Sequence, residues 1–188
     1  MKKQMRLLIT GTPCVGKTTL AAELSRQLDC PLVSANDLAA QLGCCKLDKK
    51  DGVREVDLKV LQKHLKKLLE EVSKRKESVV VEGHLLCEMK LPCEKLLVLR
   101  CNPLVLEKRF KNRKYASRKV SDNLLSEILD YCLLKSEANY PAAKIVQLDA
   151  SKPPSASNAL KKLDSGKSGK VDWSGLLVSK EFSGRYVF

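Results

Sequence analysis

Apolar positions in this chain follow two alternating rhythms. Apolar runs inside residues 6–10, 78–81 and 95–100 predict buried strands, because a strand covered on both faces has no polar side to present. Runs at 31–33 and 144–148 predict two more. Helical spacing fills the intervals. Leu20, Leu24 and Leu28 share one face of a helix over 17–28, and Leu58, Leu61, Leu65, Leu68, Leu69 and Val72 predict an amphipathic helix over 56–76. Lys63, Lys66, Lys67 and Lys74 decorate the outside of that second helix. Asn102-Pro103 is a start signal for a helix carrying Leu106 and Phe110 inward and ending near Arg113. Ser121-Asp122-Asn123 offers a further N-cap, for a helix over 124–139. Strands alternating with helices imply an α/β fold with a doubly wound parallel sheet, whose ligands bind at the carboxyl ends of the strands. The segment 6–19, residues 82–84 and Arg100 all fall at such ends.

Two regions escape the rhythm. Residues 34–57, with Gly43, Cys44-Cys45 and Gly52, read as an irregular or partly helical insert. Beyond Lys152, Pro153-Pro154 and a Ser/Gly/Lys-rich run suggest a peripheral helix near 155–163 and a loosely packed tail, with Trp173 and Tyr186-Val187-Phe188 as its anchors. No internal repeat occurs.

The one feature that names a chemistry is Gly11-x-x-x-x-Gly16-Lys17-Thr18, sitting between the first strand and the first helix. Glycines let successive backbone N–H groups converge on one phosphate cluster, and the helix adds its positive N-terminal end. Lys17 would reach the β- and γ-phosphates of a nucleotide, and the Thr18 hydroxyl would hold Mg²⁺. Phosphoryl transfer needs in-line oxygens and positive charge where negative charge spreads. Arg109 and Arg113, spaced i, i+4 in a cationic segment without an acid, would project from one helical face as a lid over the nucleotide; the alternative is a solvated basic helix end or an RNA patch. Glu82 closes its strand as a Walker B acid does and could orient Mg²⁺ or its water. His84 stands where it could position water or substrate, or cap a turn. Asp37 follows the second strand as a helix cap or an acceptor contact, and His64 reads as structural.

Composition narrows the setting. The chain has 188 residues, enough for one domain with a small inserted lobe, and its 44% hydrophobic but only 4% aromatic content predicts an aliphatic core. No run reaches the length of a membrane span, and the basic-then-apolar start is too short for a signal peptide, so a cytoplasmic protein without membrane contact is expected. Eight cysteines contain no C-x-x-C pair, which disfavours a zinc site and predicts reduced, mostly buried thiols; Cys14 and Cys44-Cys45 are the reactive candidates. A net charge of +13 exceeds what a polyphosphate needs, and implies either an acidic partner such as RNA or a generally basic solvated surface.

The segments GTPCVGKTT, SANDLA, VVVEGH, LRCNPLVLEKRFKNRKY and SDNLLSEI together resemble the adenylate kinase isoenzyme 6 type, in its archaeal form, from about residue 5 to 152. VDWS in the tail resembles a C-terminal element of the same relatives. The resemblance implies a three-layer P-loop NTP hydrolase sandwich with five parallel strands, of the nucleoside monophosphate kinase type. It implies phosphate exchange between ATP and AMP or another monophosphate with Mg²⁺, background ATPase activity, and a role in small-ribosomal-subunit maturation beside a platform ribosomal protein and rRNA. By this likeness Gly11, Cys14, Gly16, Lys17, Thr18 and Thr19 hold the triphosphate, Arg113 touches ATP, Lys152 lies beside the adenine, and Thr18 and Glu82 serve the metal. Residues 34–57 become the acceptor lobe, with Ser34, Asp37 and Arg54 as acceptor contacts; 112–122 become the lid and 153–188 a peripheral extension. Lys17, Glu82, His84, Arg109 and Arg113 form the catalytic set. The chain departs from the pattern in three places. Cys14 replaces a usual glycine, Asp37-Leu38-Ala39-Ala40 lacks an arginine that Arg54 could replace, and Glu82 and Leu85 replace the usual Asp and Gly around the histidine. These departures bear on acceptor identity more than on ATP binding.

Overall fold

The computed structural model describes residues 4–47, 54–166, 168–179 and 182, without the side chains of 46, 47 and 54. Its centre is β1 (Arg6–Gly11), a six-residue strand buried from Leu7 onward. β1 pairs in parallel with β5 (Val79–Glu82) on one side and β6 (Lys95–Arg100) on the other. β2 (Leu32–Ser34) and β7 (Ile145–Asp149) complete a five-stranded sheet in the order β2-β5-β1-β6-β7, every pair parallel. Alternation along β1 explains the layers: Leu7 and Ile9 belong to one apolar cluster and Leu8 to the other.

Leu7 and Ile9 pack with α1 (Lys17–Leu28), α4 (Pro103–Asn112), α5 (Ser117–Ile128) and α7 (Ala156–Ser165). Leu8 packs with α3 (Leu58–Lys74), α6 (Tyr131–Asn139) and a short 3₁₀ helix, His84–Glu88. Leu61, Leu65 and Leu69 of α3 are fully buried, at about 1.5–3 kcal/mol for each such side chain. Asp57 caps α3, its carboxylate accepting from the backbone N–H of Lys59 and Val60 at 3.1 Å each, which starts the helix two residues later than the periodicity predicts.

The described parts of the insert, 34–47 and 54–57, hold more regular structure than its composition suggests. It forms α2 (Ala35–Gln41) and an antiparallel pair, β3 (Cys45–Leu47) with β4 (Arg54–Val56). Asp37 does not cap α2. The cap is Ser34, whose hydroxyl accepts from the Asp37 N–H at 3.3 Å. Cys44 is buried, and Cys45 begins β3 instead of lying in a loop.

The expected helix over 124–139 is divided. α5 starts at Ser117, so Ser121, Asp122 and Asn123 are interior; Ser121 Oγ and Asn123 Nδ2 donate back to the carbonyls of Ser117 and Lys119. The chain then breaks at Asp130, which adopts φ 56°, before α6 begins. Arg100 explains the break. Its Nη2 donates to the Glu127 carbonyl at 3.1 Å and to the Asp130 carboxylate, while its Nε donates to Glu127 Oε1 at 2.9 Å. Arg100, placed at the ligand end by strand order, thus turns inward and is 1% exposed.

In the tail, Phe182 is buried and Trp173 packs against the same cluster. Tyr186, Val187 and Phe188 lie outside the described residues.

Candidate active site

Gly11 ends β1 with φ 140°, and a Cβ there would stand 2.4 Å from the Leu99 carbonyl oxygen; both conditions demand glycine. The chain then turns through Thr12-Pro13-Cys14-Val15 to Gly16, which precedes α1 with φ 107°. Cys14 takes φ 66°, the left-handed region, where a residue with a Cβ carries about 1–3 kcal/mol of strain. Cysteine thus occupies a left-handed position that glycine would adopt without strain.

Lys17 is folded onto this turn. Its Nζ donates to the carbonyls of Gly11 at 2.8 Å and Thr12 at 2.9 Å. Burial lowers the Lys17 pKa, and the charges of Cys132, Glu82, Cys14 and Glu127 oppose that effect. Thr18 and Thr19, on the exposed first turn of α1, flank the helix N-terminus, whose N–H groups have no acceptors within the helix.

Glu82 arrives beside this loop through the sheet. It pairs in register with Ile9, and the Gly83 N–H donates to the Ile9 carbonyl at 3.0 Å. Its carboxylate is buried and acts on Lys17. His84 opens the 3₁₀ helix, and its carbonyl accepts from Thr10 Oγ1 at 3.2 Å. Burial, then the positive charges of Lys17 and Lys119, push the imidazole down to about 4, so it is neutral near pH 7. Lys17, Glu82 and His84 are thus gathered at the carboxyl ends of two neighbouring strands, as strand order implies.

The two lid arginines separate. Arg109 braces the loop from behind: Nη1 donates to the Val15 carbonyl at 3.1 Å, and Nη2 to the carbonyls of Ala150 and Ser151 at 2.8 and 3.0 Å. It does not share an exposed face with Arg113. Arg113 follows α4 and is exposed, with its Nη1 3.7 Å from Cys14 Sγ. Lys152 is exposed next to the segment Arg109 holds. Ser34 and Asp37 sit at the start of α2, half-buried and exposed. Arg54 lies in β4, and its side chain is outside the described residues. His64 is exposed on α3 with its ring Nδ1 2.9 Å from the Val60 carbonyl, a local helix contact.

Sequence reasoning passed over Thr12, Glu127, Lys119 and Tyr115. Lys119 faces the Tyr115 ring at 5.2 Å, and its positive charge acts on His84. Only tertiary contact identifies these residues, since each sits in sequence among similar ones.

An AAA-domain family profile matches residues 7–130. A protein named putative adenylate kinase from Methanocaldococcus jannaschii is 33% identical over 147 residues, spanning 77% of this chain and 76% of its own length. The chain belongs to this P-loop adenylate kinase family. Its namesake from Pyrococcus furiosus is 32% identical and extends the likeness to 90% of this chain and 91% of the relative. In three dimensions a sugar kinase from Janibacter sp. HTCC2649 superposes with TM-score 0.60 at 19% identity, covering 86% of this chain and 95% of that one. Shikimate kinase from Bacteroides thetaiotaomicron gives TM-score 0.51 at 18% identity, covering 85% and 94%. These structures share the fold. The span matched by the family profile includes the phosphate loop, Glu82, His84 and the segment through Arg113.

Proposed function

We propose that this protein transfers the γ-phosphate of ATP to AMP or another nucleoside monophosphate. The observation that carries the reading is the convergence of Lys17, Glu82 and His84 at the ends of β1 and β5, beside the turn from Gly11 to Gly16. On binding, the triphosphate replaces the Gly11 and Thr12 carbonyls as the partner of Lys17, whose charge then counters that developing on the transferred group. Arg113 engages ATP from the exposed side, while Arg109 keeps Val15 and residues 150–151 in fixed relation. His84, neutral, positions the acceptor or its water without adding charge. Residues 34–57 form the acceptor lobe, with Ser34, Asp37 and Arg54 as its contacts, residues 112–122 the lid, and Lys152 the adenine side.

The donors suit Mg²⁺: an exposed threonine hydroxyl at Thr18 and a strand-end carboxylate at Glu82 are hard oxygens. Among the described residues no group of His, Cys, Asp and Glu could hold a metal by itself, in keeping with an ion bound jointly by protein and phosphate. Such an ion would neutralise charge on the β- and γ-phosphates.

A second reading rests on charge. The exposed cations Lys108, Lys111, Lys114, Arg118 and Lys119, in a chain of net charge +13, favour an acidic polymer, so an ATP-driven role at rRNA and a ribosomal protein fits the same nucleotide site. A coupled assay separates them. ADP formation from ATP plus AMP far above hydrolysis of ATP alone supports the kinase; hydrolysis indifferent to AMP and raised only by small-subunit components supports the switch.

A further inference from the structure

Behind the phosphate loop lies a buried carboxylate that the proposed chemistry does not use. Glu127 is 1% exposed, and its carboxylate accepts three hydrogen bonds: from Arg100 Nε at 2.9 Å, from the Cys101 backbone N–H at 2.9 Å, and from the Thr12 hydroxyl at 2.5 Å. A buried charge persists only when paired and hydrogen-bonded, and here Arg100 pairs it. The third bond is the informative one. Thr12 is the residue inside the loop whose carbonyl accepts from Lys17 Nζ at 2.9 Å. Its side chain is held by Glu127 while its backbone holds the lysine. Glu127 also opposes the effect of burial on the Lys17 ammonium. It stands in the last turn of α5, the helix that begins within residues 112–122.

We infer that Glu127, acting through the Thr12 hydroxyl, is a positioning residue for Lys17, joining the lid-bearing helix to the phosphate loop. The inference rests on the phosphoryl-transfer reading above. Arg100 anchors the carboxylate from β6, so the loop is referenced to the rigid sheet as well as to α5. Loosening this tie leaves Lys17 in the site but imprecisely set. Its charge counts most where charge develops in the transition state, so the loss falls chiefly on kcat.

The test compares wild type with Thr12→Val and Thr12→Ser in the ATP-plus-AMP assay, with thermal unfolding of each. Valine keeps the volume and removes the hydroxyl; serine keeps the hydroxyl. Thr12→Val is expected to lower kcat on the order of 10- to 100-fold at a temperature where it is fully folded, with the KM for ATP changed less than the kcat, and Thr12→Ser is expected to recover most of the rate. Wild-type kcat in folded Thr12→Val, whatever its Tm, overturns the inference and leaves the bond purely structural. If Thr12→Val does not fold, Thr12→Ala is compared with Thr12→Ser and read in the same way. A wild type that binds ATP but transfers no phosphate to AMP overturns the kinase reading instead. In that case the kcat of ATP hydrolysis is the readout: a fall in folded Thr12→Val, regained in Thr12→Ser, supports the positioning role, and equal rates reject it.

Discussion

Arg113 Nη1 stands 3.7 Å from Cys14 Sγ, joining the turn after α4 to the tip of the phosphate loop. Cys14 also holds φ 66°, a conformation that glycine adopts freely. Replacing it with glycine relieves strain in the folded chain but adds freedom to the unfolded one, two effects of about 1 kcal/mol that oppose each other. Cys14→Gly should therefore melt within a few degrees of wild type and remain active. Alkylation with iodoacetamide should inactivate wild type, with ATP protecting it, and spare Cys14→Gly. Equal inactivation of both would move the sensitive thiol elsewhere.

Lys17→Ala should reduce phosphoryl transfer by about two orders of magnitude or more, because its ammonium is the charge set to counter that developing on the transferred group. Steady-state kinetics with ATP and AMP measure this. Turnover like wild type would remove the loop from the chemistry.

Glu82→Gln is nearly isosteric at a buried strand end, so circular dichroism and Tm should change little. Mg²⁺-dependent turnover should fall, and the Mg²⁺ concentration giving half-maximal rate should rise. An unchanged Mg²⁺ titration would leave Glu82 as an ordinary buried carboxylate.

The two arginines should respond oppositely. Arg109→Ala strands the carbonyls of Val15, Ala150 and Ser151, and should lower stability by about 1–3 kcal/mol. Arg113→Ala removes an exposed side chain, and should raise the KM for ATP with little effect on Tm. Melting curves and ATP kinetics on both variants check the assignment; a drop in Tm for Arg113→Ala alone would reverse it.

Acid stability should depend on Glu94. Burial raises its carboxyl, but the hydrogen bonds and charge of Arg6 outweigh that and hold it below 4.5. Arg6 Nη2 lies 2.6 Å from Glu94 Oε1, and the Arg6 backbone N–H lies 2.6 Å from Oε2. A lowered carboxylate adds stability that is present above the unfolded pKa and lost as pH falls through the folded one. The stability difference between wild type and Glu94→Gln should thus be full near neutrality and shrink below 4.5. Denaturant melts across that range measure it, and a pH-independent difference would contradict the pairing.

The strands and most helices were legible because their cause is local. Residues 96–99 are aliphatic throughout and become the centre of β6, paired on both sides, and the Leu61–Leu65–Leu69 repeat becomes the buried face of α3. The break at Asp130 was not legible. Its cause is Arg100, 30 residues earlier, reaching the Glu127 carbonyl and the Asp130 carboxylate. The hairpin in residues 34–57 escaped for a similar reason, since three-residue strands carry too few positions to show alternation.

The sequence by itself determined the phosphate loop, the parallel order of elements and the arrival of Glu82 and His84 near Lys17, because glycine geometry and hydrophobic period act over a few residues. Tertiary structure alone decided how the polar groups were spent. It turned Arg100 inward, made Arg109 a brace and left Arg113 exposed, and it tied Thr12 to Glu127 across 115 residues. Hydrogen-bond partners far apart in the chain are set by which surfaces meet, and no local pattern records that meeting.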